Sequence, residues 1–138
     1  MIELGDGLVE TIHAGEGFRM VMRDGMTVCA DGQFDRDFNL KCVRDSEPLD
    51  GKRIAWIGGG YCIGATEAAK SPCTQTVYEI EPDLEEFCPK GVTFIPGDWR
   101  DTISGKFDIA VYDLGGPVPY DILTQYLAPG GLILPKEA

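Results

Sequence analysis

The chain has 138 residues, with 12 Lys+Arg against 23 Asp+Glu and a net charge of −11, which is the length of one domain. With 43% hydrophobic and 25% charged residues the composition excludes disorder as the main state. The acidity argues against a nucleic-acid partner, since phosphates are gripped by Lys and Arg, and is compatible with a cationic small molecule. The opening MIELGDGLVE has no apolar core of a signal peptide, and no run of 18 apolar residues predicts a membrane span. Cys29, Cys42, Cys62, Cys73 and Cys88 are odd in number and form no C-x-x-C pair. That pattern predicts reduced thiols in a cytoplasmic protein, with no disulfide framework and no metal site.

In chain order, Leu8–His13, Phe18–Arg23 and Met26–Cys29 read as strands, and Asp24-Gly25 between two of them is a hairpin turn signal. A short helix is expected at 35–43. The turn-rich Ser46–Lys52 then leads into a second region, dividing the chain into a hairpin region (1–45) and a core (46–138). From Arg53 the pattern becomes apolar strands alternating with helices: strands at Ile54–Gly58, Thr76–Glu81, Val92–Ile95, Phe107–Tyr112 and Leu132–Leu134, and helices at Ile63–Lys70 and Tyr120–Leu127. Pro82–Cys88 holds about two helical turns at most. Such alternation predicts an α/β fold, a parallel sheet covered on both faces.

The chemistry-bearing residues fall at the carboxyl ends of these strands, where open α/β sheets bind ligands. Gly58-Gly59-Gly60-Tyr61-Cys62-Ile63-Gly64 is a glycine turn running into a helix, where backbone N–H groups are free to meet a ligand. Its spacing departs from the dinucleotide fingerprint, because Ile63 occupies the place of the third glycine. Glu79 follows Gly58 by about 20 residues, the distance at which an acid grips a ribose diol. Glu81 is a nearby alternative. Asp98 ends the next strand and suits an exocyclic adenine amine, with Ile80 and Trp99 as apolar faces for the base. Asp113 ends the strand after that, ahead of Leu114-Gly115-Gly116-Pro117. His13, the only histidine, reads as structural, Trp56 as core, and Met20, Met22 and Met26 as packing of the hairpin.

The phrases RIAWIGGG, TVYEIEPDL, GDWRD, KFDIAVYDLGGP and LAPGGLIL, in that order, resemble the Rossmann-like core of class I S-adenosylmethionine (AdoMet)-dependent methyltransferases. Within that superfamily they are most similar to spermidine synthase-type aminopropyltransferases, whose small N-terminal β-domain is resembled by RDGMTVCADGQFDRDF. The resemblance implies a shortened core preceded by a β-hairpin, and AdoMet or its decarboxylated form as donor. It implies that Glu79 holds the ribose, Asp98 the adenine amine, Gly58–Gly60 border the thioether, and Asp113 takes a proton from the attacking amine. Departures lie on the acceptor side. Tyr61 stands where the family has an acid, Gly116 where it has a second aspartate, and Val28 where it has a glutamine, with Gln33 nearby as a replacement.

The expected function is aminopropyl transfer to an amine. Small-molecule methyl transfer, AdoMet cleavage and a non-catalytic nucleoside-binding protein are the alternatives. A sheet ending at Leu132–Leu134 leaves an unprotected edge, which predicts a homo-oligomer, a symmetric dimer first.

Overall fold

The computed structural model of the chain describes residues 1–137. It contains two sheets. Strands β1 (Ile2–Gly5), β2 (Leu8–His13), β3 (Phe18–Arg23) and β4 (Met26–Asp31) form an antiparallel sheet in chain order. Asp24 and Gly25 take φ of 52° and 77°, the left-handed pair that a two-residue hairpin of this twist requires. β1 adds a fourth strand, paired with β2, to the three expected from the sequence. Met26 is 74% exposed and packs less than expected.

The second sheet consists of β5 (Arg53–Ile57), β6 (Thr74–Glu79), β7 (Thr93–Pro96), β8 (Phe107–Tyr112) and β9 (Leu127–Leu134), all parallel, in the order β7-β6-β5-β8-β9. Alternate residues of each strand serve opposite faces. Ile54 and Trp56 meet Ile109, Val111 and Val77 on one face, under the helices α1 (Gln33–Ser46) and α2 (Ile63–Ala68). Ala55 and Ile57 meet Tyr78, Ala110 and Tyr112 on the other, under α3 (Trp99–Thr102) and α4 (Tyr120–Thr124). Burial on both faces explains why these strands read as continuous apolar runs. The architecture is the α/β Rossmann-like core with an N-terminal antiparallel element that the sequence predicts.

Helix α1 is longer than the expected 35–43. The Asp35 carboxylate accepts from the Gly32 N–H at 3.1 Å and caps its start, and the extended Glu47 before Pro48 ends it. Although grouped in the sequence with the hairpin, α1 buries Cys42 and Val43 in the core of the parallel sheet. Helix α2 approaches the sheet closely, since any side chain at Gly64 would collide with the Trp56 ring. Trp56 is core, as expected, at 4% exposure, and its indole N–H donates to Gln75 Oε1 at 2.6 Å. The segment Pro82–Phe87 forms a 3₁₀ turn in place of an α-helix. Among the described residues no helix is long and apolar enough to cross a membrane.

Candidate functional site

The order of the parallel sheet places β5 and β8 side by side at its centre. The chain leaves β5 outward to β6 and β7, then crosses back to β8 and β9. The crevice beyond the carboxyl ends of β5 and β8 is therefore the point where strand order reverses, the position at which such sheets bind ligands. The Asp113 N–H donates to the Ile57 carbonyl at 2.8 Å, and the Gly58 N–H to the Tyr78 carbonyl at 2.8 Å. The two loops thus start from a shared rigid edge. A cavity of about 330 Å³ opens there, floored by Gly58–Gly60 and roofed by β4 and the first turns of α1. A larger depression of about 650 Å³ lies beside Arg53, Lys106 and Gly130, near where β5 and β8 begin, and brings no carboxylates together.

The glycine turn is required by its surroundings. Gly58 adopts φ of 88°, and a Cβ there would lie 2.6 Å from Leu114 Cδ2 and 2.9 Å from the Asp113 carbonyl. A Cβ on Gly59 would run into Val77. Glu79, 7% exposed, closes the turn: its Oε1 accepts from the N–H groups of Gly59 at 3.1 Å and Gly60 at 2.8 Å, and its Oε2 from Glu81 N–H at 2.9 Å. Glu81 leaves the site, because its carboxylate pairs with Arg23 at 2.6 Å. Strand β6 ends at Glu79, so Glu81 does not stand in for it as the alternative acid of the site.

Asp113 lines the cavity and is exposed as a residue, while its carboxyl is crowded by the surrounding protein atoms. Burial of its carboxyl among protein atoms raises its pKa from the usual aspartate range to about 6, the Asn39 amide lowers it, and the carboxylates of Asp35 and Glu79 raise it again. Such a group changes protonation state close to neutral pH, as a proton acceptor must. Cys29 also lines the cavity. Burial, and secondarily Glu79, push its thiol to about 12, so it stays protonated and unreactive.

Of the residues singled out in sequence, Gly58, Gly59, Gly60, Tyr61, Glu79, Ile80 and Asp113 line this one cavity. Ile80 is 63% exposed at its rim. The Tyr61 hydroxyl turns away and donates a short hydrogen bond to the buried Glu10 carboxylate, while Arg19 stacks over its ring at 4.1 Å. Burial first, and Glu10 next, hold that phenol well above its ordinary pKa. Tyr61 therefore joins the glycine turn to the antiparallel sheet through its ring, and it does not replace the acid of the resembled family.

Asp98 and Trp99 do not line the cavity. Asp98 caps α3 through the Arg100 N–H at 2.9 Å. Trp99 is 5% exposed and packs edge-on against Tyr112 on the far face of the sheet, which leaves no free ring face on that side. Gln33 is exposed and bonds to Asp37, whereas Val28 lines the cavity. His13 is exposed and stacks on Phe18, away from the site. Sequence reasoning missed Asp35 and Asn39, which line the roof. Their signal was an i,i+4 polar pair on a helix whose neighbours Cys42 and Val43 are core.

No protein-family model matches the chain, and no curated protein matches it. Solved structures do. A SAM-dependent methyltransferase from Thiobacillus denitrificans in complex with S-adenosyl-L-homocysteine superposes with a TM-score of 0.60 at 23% identity, over 70% of this chain and 46% of that one. A protein-L-isoaspartate O-methyltransferase gives 0.63 at 18% identity, over 86% and 42%. A variant of MtNAS in complex with S-adenosylmethionine gives 0.53 at 24% identity, over 72% and 45%. These likenesses establish the fold. The chain spans less than half the length of each of these three proteins.

Proposed function

We propose that this chain binds an AdoMet-type sulfonium nucleoside and transfers a carbon group from it to an acceptor. The observation that carries the reading is the charge of the switch-point cavity. Asp35, Glu79 and Asp113 line it, and among the described residues no Lys or Arg does. Three carboxylates without a counter-charge suit a cationic ligand, and the side-chain-free floor of Gly58–Gly60 admits one close to the backbone. Neighbours of the same fold, crystallised with S-adenosylhomocysteine or AdoMet, support the nucleoside.

The donor supplies a carbon already activated by the positive sulfur, so the chain's residues have three tasks. Glu79 accepts from a ribose hydroxyl. A carboxylate offers about four acceptor positions and three are in use, so a second hydroxyl is met only if a glycine N–H lets go. Asp113, beside Gly58, faces the reacting carbon and draws the acceptor's proton as the new bond forms. With a pKa of about 6 it is ionised at neutral pH and basic enough to take part. Asp98, which caps α3 at the neighbouring strand end outside the cavity lining, would meet the adenine amine only with the carboxylate oxygen that the cap leaves over. A positive leaving sulfur becomes neutral on departure, so no strong acid is needed.

Two donors fit to different degrees. The amino-acid carboxylate of AdoMet would meet only carboxylates in this cavity. Decarboxylated AdoMet, with an ammonium and no carboxylate, meets favourable charge throughout, and that favours aminopropyl transfer to an amine. Methyl transfer is supported instead by the neighbouring methyltransferases. Mass spectrometry of the donor decides after incubation of each donor with and without putrescine and other amines. Loss of aminopropyl or of methyl identifies the reaction, and fragmentation without an acceptor identifies cleavage. A donor that binds and is recovered intact makes the chain a binding protein. Failure of both donors to bind overturns the proposal.

A further inference from the structure

Asn39 lies on α1, four residues after Asp35, and is 6% exposed. A buried primary amide has one oxygen and two N–H groups to satisfy. Here the backbone decides which end is which. The Gly64 N–H can only donate, so the amide atom 3.3 Å from it is Oδ1. The Asp35 carbonyl can only accept, so the atom 2.8 Å from it is Nδ2. With both ends fixed, the second N–H of the planar amide is directed at Asp113 Oδ2, 3.4 Å away. Among the described residues Asn39 is the one hydrogen-bond donor to that carboxylate.

The other groups facing Asp113 are Asp35 from α1, Glu79 from β6 and the Cys42 thiol from α1. Asp35 and Glu79 repel its charge, and burial holds the Cys42 thiol protonated at about 12. Asn39 is thus the single neighbour that favours the ionised form. It also touches the helix that follows the glycine turn: a Cβ on Gly64 would lie 2.9 Å from Asn39 Oδ1, so α1 and α2 approach here at near contact.

We infer that Asn39 is the positioning residue of the site, holding the Asp113 carboxylate towards the cavity with one end of its amide while the start of α2 pins the other. The inference rests on the reading of Asp113 as the proton-accepting group. At 3.4 Å the bond is longer than the 2.7–3.2 Å of a strong N–H···O bond. It therefore orients the carboxylate and still lets it turn to an incoming cation.

The test is a ¹³C-carboxyl NMR titration of the free protein, with the Asp113 signal assigned by its loss in Asp113→Asn. Asn39→Asp keeps the acceptor for Gly64 and replaces the donor with an acceptor. Asn39→Ala removes both without adding charge. The expected result is an Asp113 midpoint moved upward by about one unit in Asn39→Asp and in the same direction, by less, in Asn39→Ala. A midpoint unchanged from wild type in folded Asn39→Ala overturns the inference. So does loss of folding in both variants, which would make Asn39 purely structural. The titration contains no donor, so failure of the transferase reading is scored separately, by donor binding.

Discussion

Gly60 N–H and Glu79 Oε1 lie 2.8 Å apart, so the acid at the end of one strand closes the glycine turn of its neighbour. The same oxygen takes the Gly59 N–H, and the floor of the cavity is therefore shaped before any ligand arrives. Charge-assisted bonds of this kind are worth about 1.5–3 kcal/mol each. Glu79→Ala should weaken AdoMet or methylthioadenosine by about 10- to 100-fold. Calorimetry checks this, and an unchanged affinity removes Glu79 from the ribose role. Because a bidentate ribose grip requires a glycine N–H to be released, the amide resonances of Gly59 and Gly60 should shift when ligand is added.

Asp113 gives a pH dependence of definite sign. Its pKa is raised to about 6 in the folded chain, above the usual 3.8. Between these values the native state holds a proton that the unfolded chain has lost. This group's contribution to stability is therefore fully present below about pH 4 and is lost as pH rises through about 6. Asp113→Asn has no such loss. Relative to wild type, its urea midpoint should be higher at pH 7 than at pH 4.5, and an equal difference at the two pH values refutes the raised pKa.

The same carboxylate should link donor binding to pH. A sulfonium favours the ionised form, so AdoMet affinity should rise from pH 5 to 7, while S-adenosylhomocysteine, neutral at sulfur, should change less. In Asp113→Asn the AdoMet slope should flatten. Turnover, once an acceptor is found, should fall at least a hundredfold, the low end of the range of about 10²–10⁴ for general-base catalysis. AdoMet affinity of the variant should stay near the lower value that wild type shows at pH 5, while S-adenosylhomocysteine affinity at neutral pH should stay within a few-fold of wild type.

Asp98 and Trp99 are adjacent but should separate cleanly. Trp99 is core, and Trp99→Ala should cost about 3–5 kcal/mol of stability through the cavity it leaves. Asp98→Ala loses a helix cap worth about 0.5–2 kcal/mol. If Asp98 also meets the base, that variant should weaken adenosine more than a purine nucleoside lacking the exocyclic amine. Equal losses for the two nucleosides assign Asp98 to capping alone.

Among the described residues the outer strands of the parallel sheet are β7 and β9, and Leu132 and Ile133 of β9 are only half-buried. A symmetric dimer is expected to cover an edge of this kind. Light scattering at high micromolar concentration should report about twice the 15.0 kDa chain mass. A monomer at that concentration counts against it.

Local patterns decided much of this protein. β2, β3 and β8 run over the residues that alternation and turn chemistry predict, and Asp24-Gly25 turns as its type demands. Glu79 and Asp113 were legible because a strand end in a parallel sheet is itself a position in the binding crevice. The remainder depended on contacts between distant segments. Asn39 and Asp113 are 74 residues apart, and no periodicity links them. Trp99 reads as a base-stacking ring in sequence and is core in the structure, because the start of α3 turns its side chain under the sheet. Tyr61 stands in the glycine turn, but Glu10, 51 residues away, takes its hydroxyl. Which strand ends carry acids follows from local sequence. Which groups surround each acid, and hence its pKa, follows only from how α1 and β4 fold over the parallel sheet.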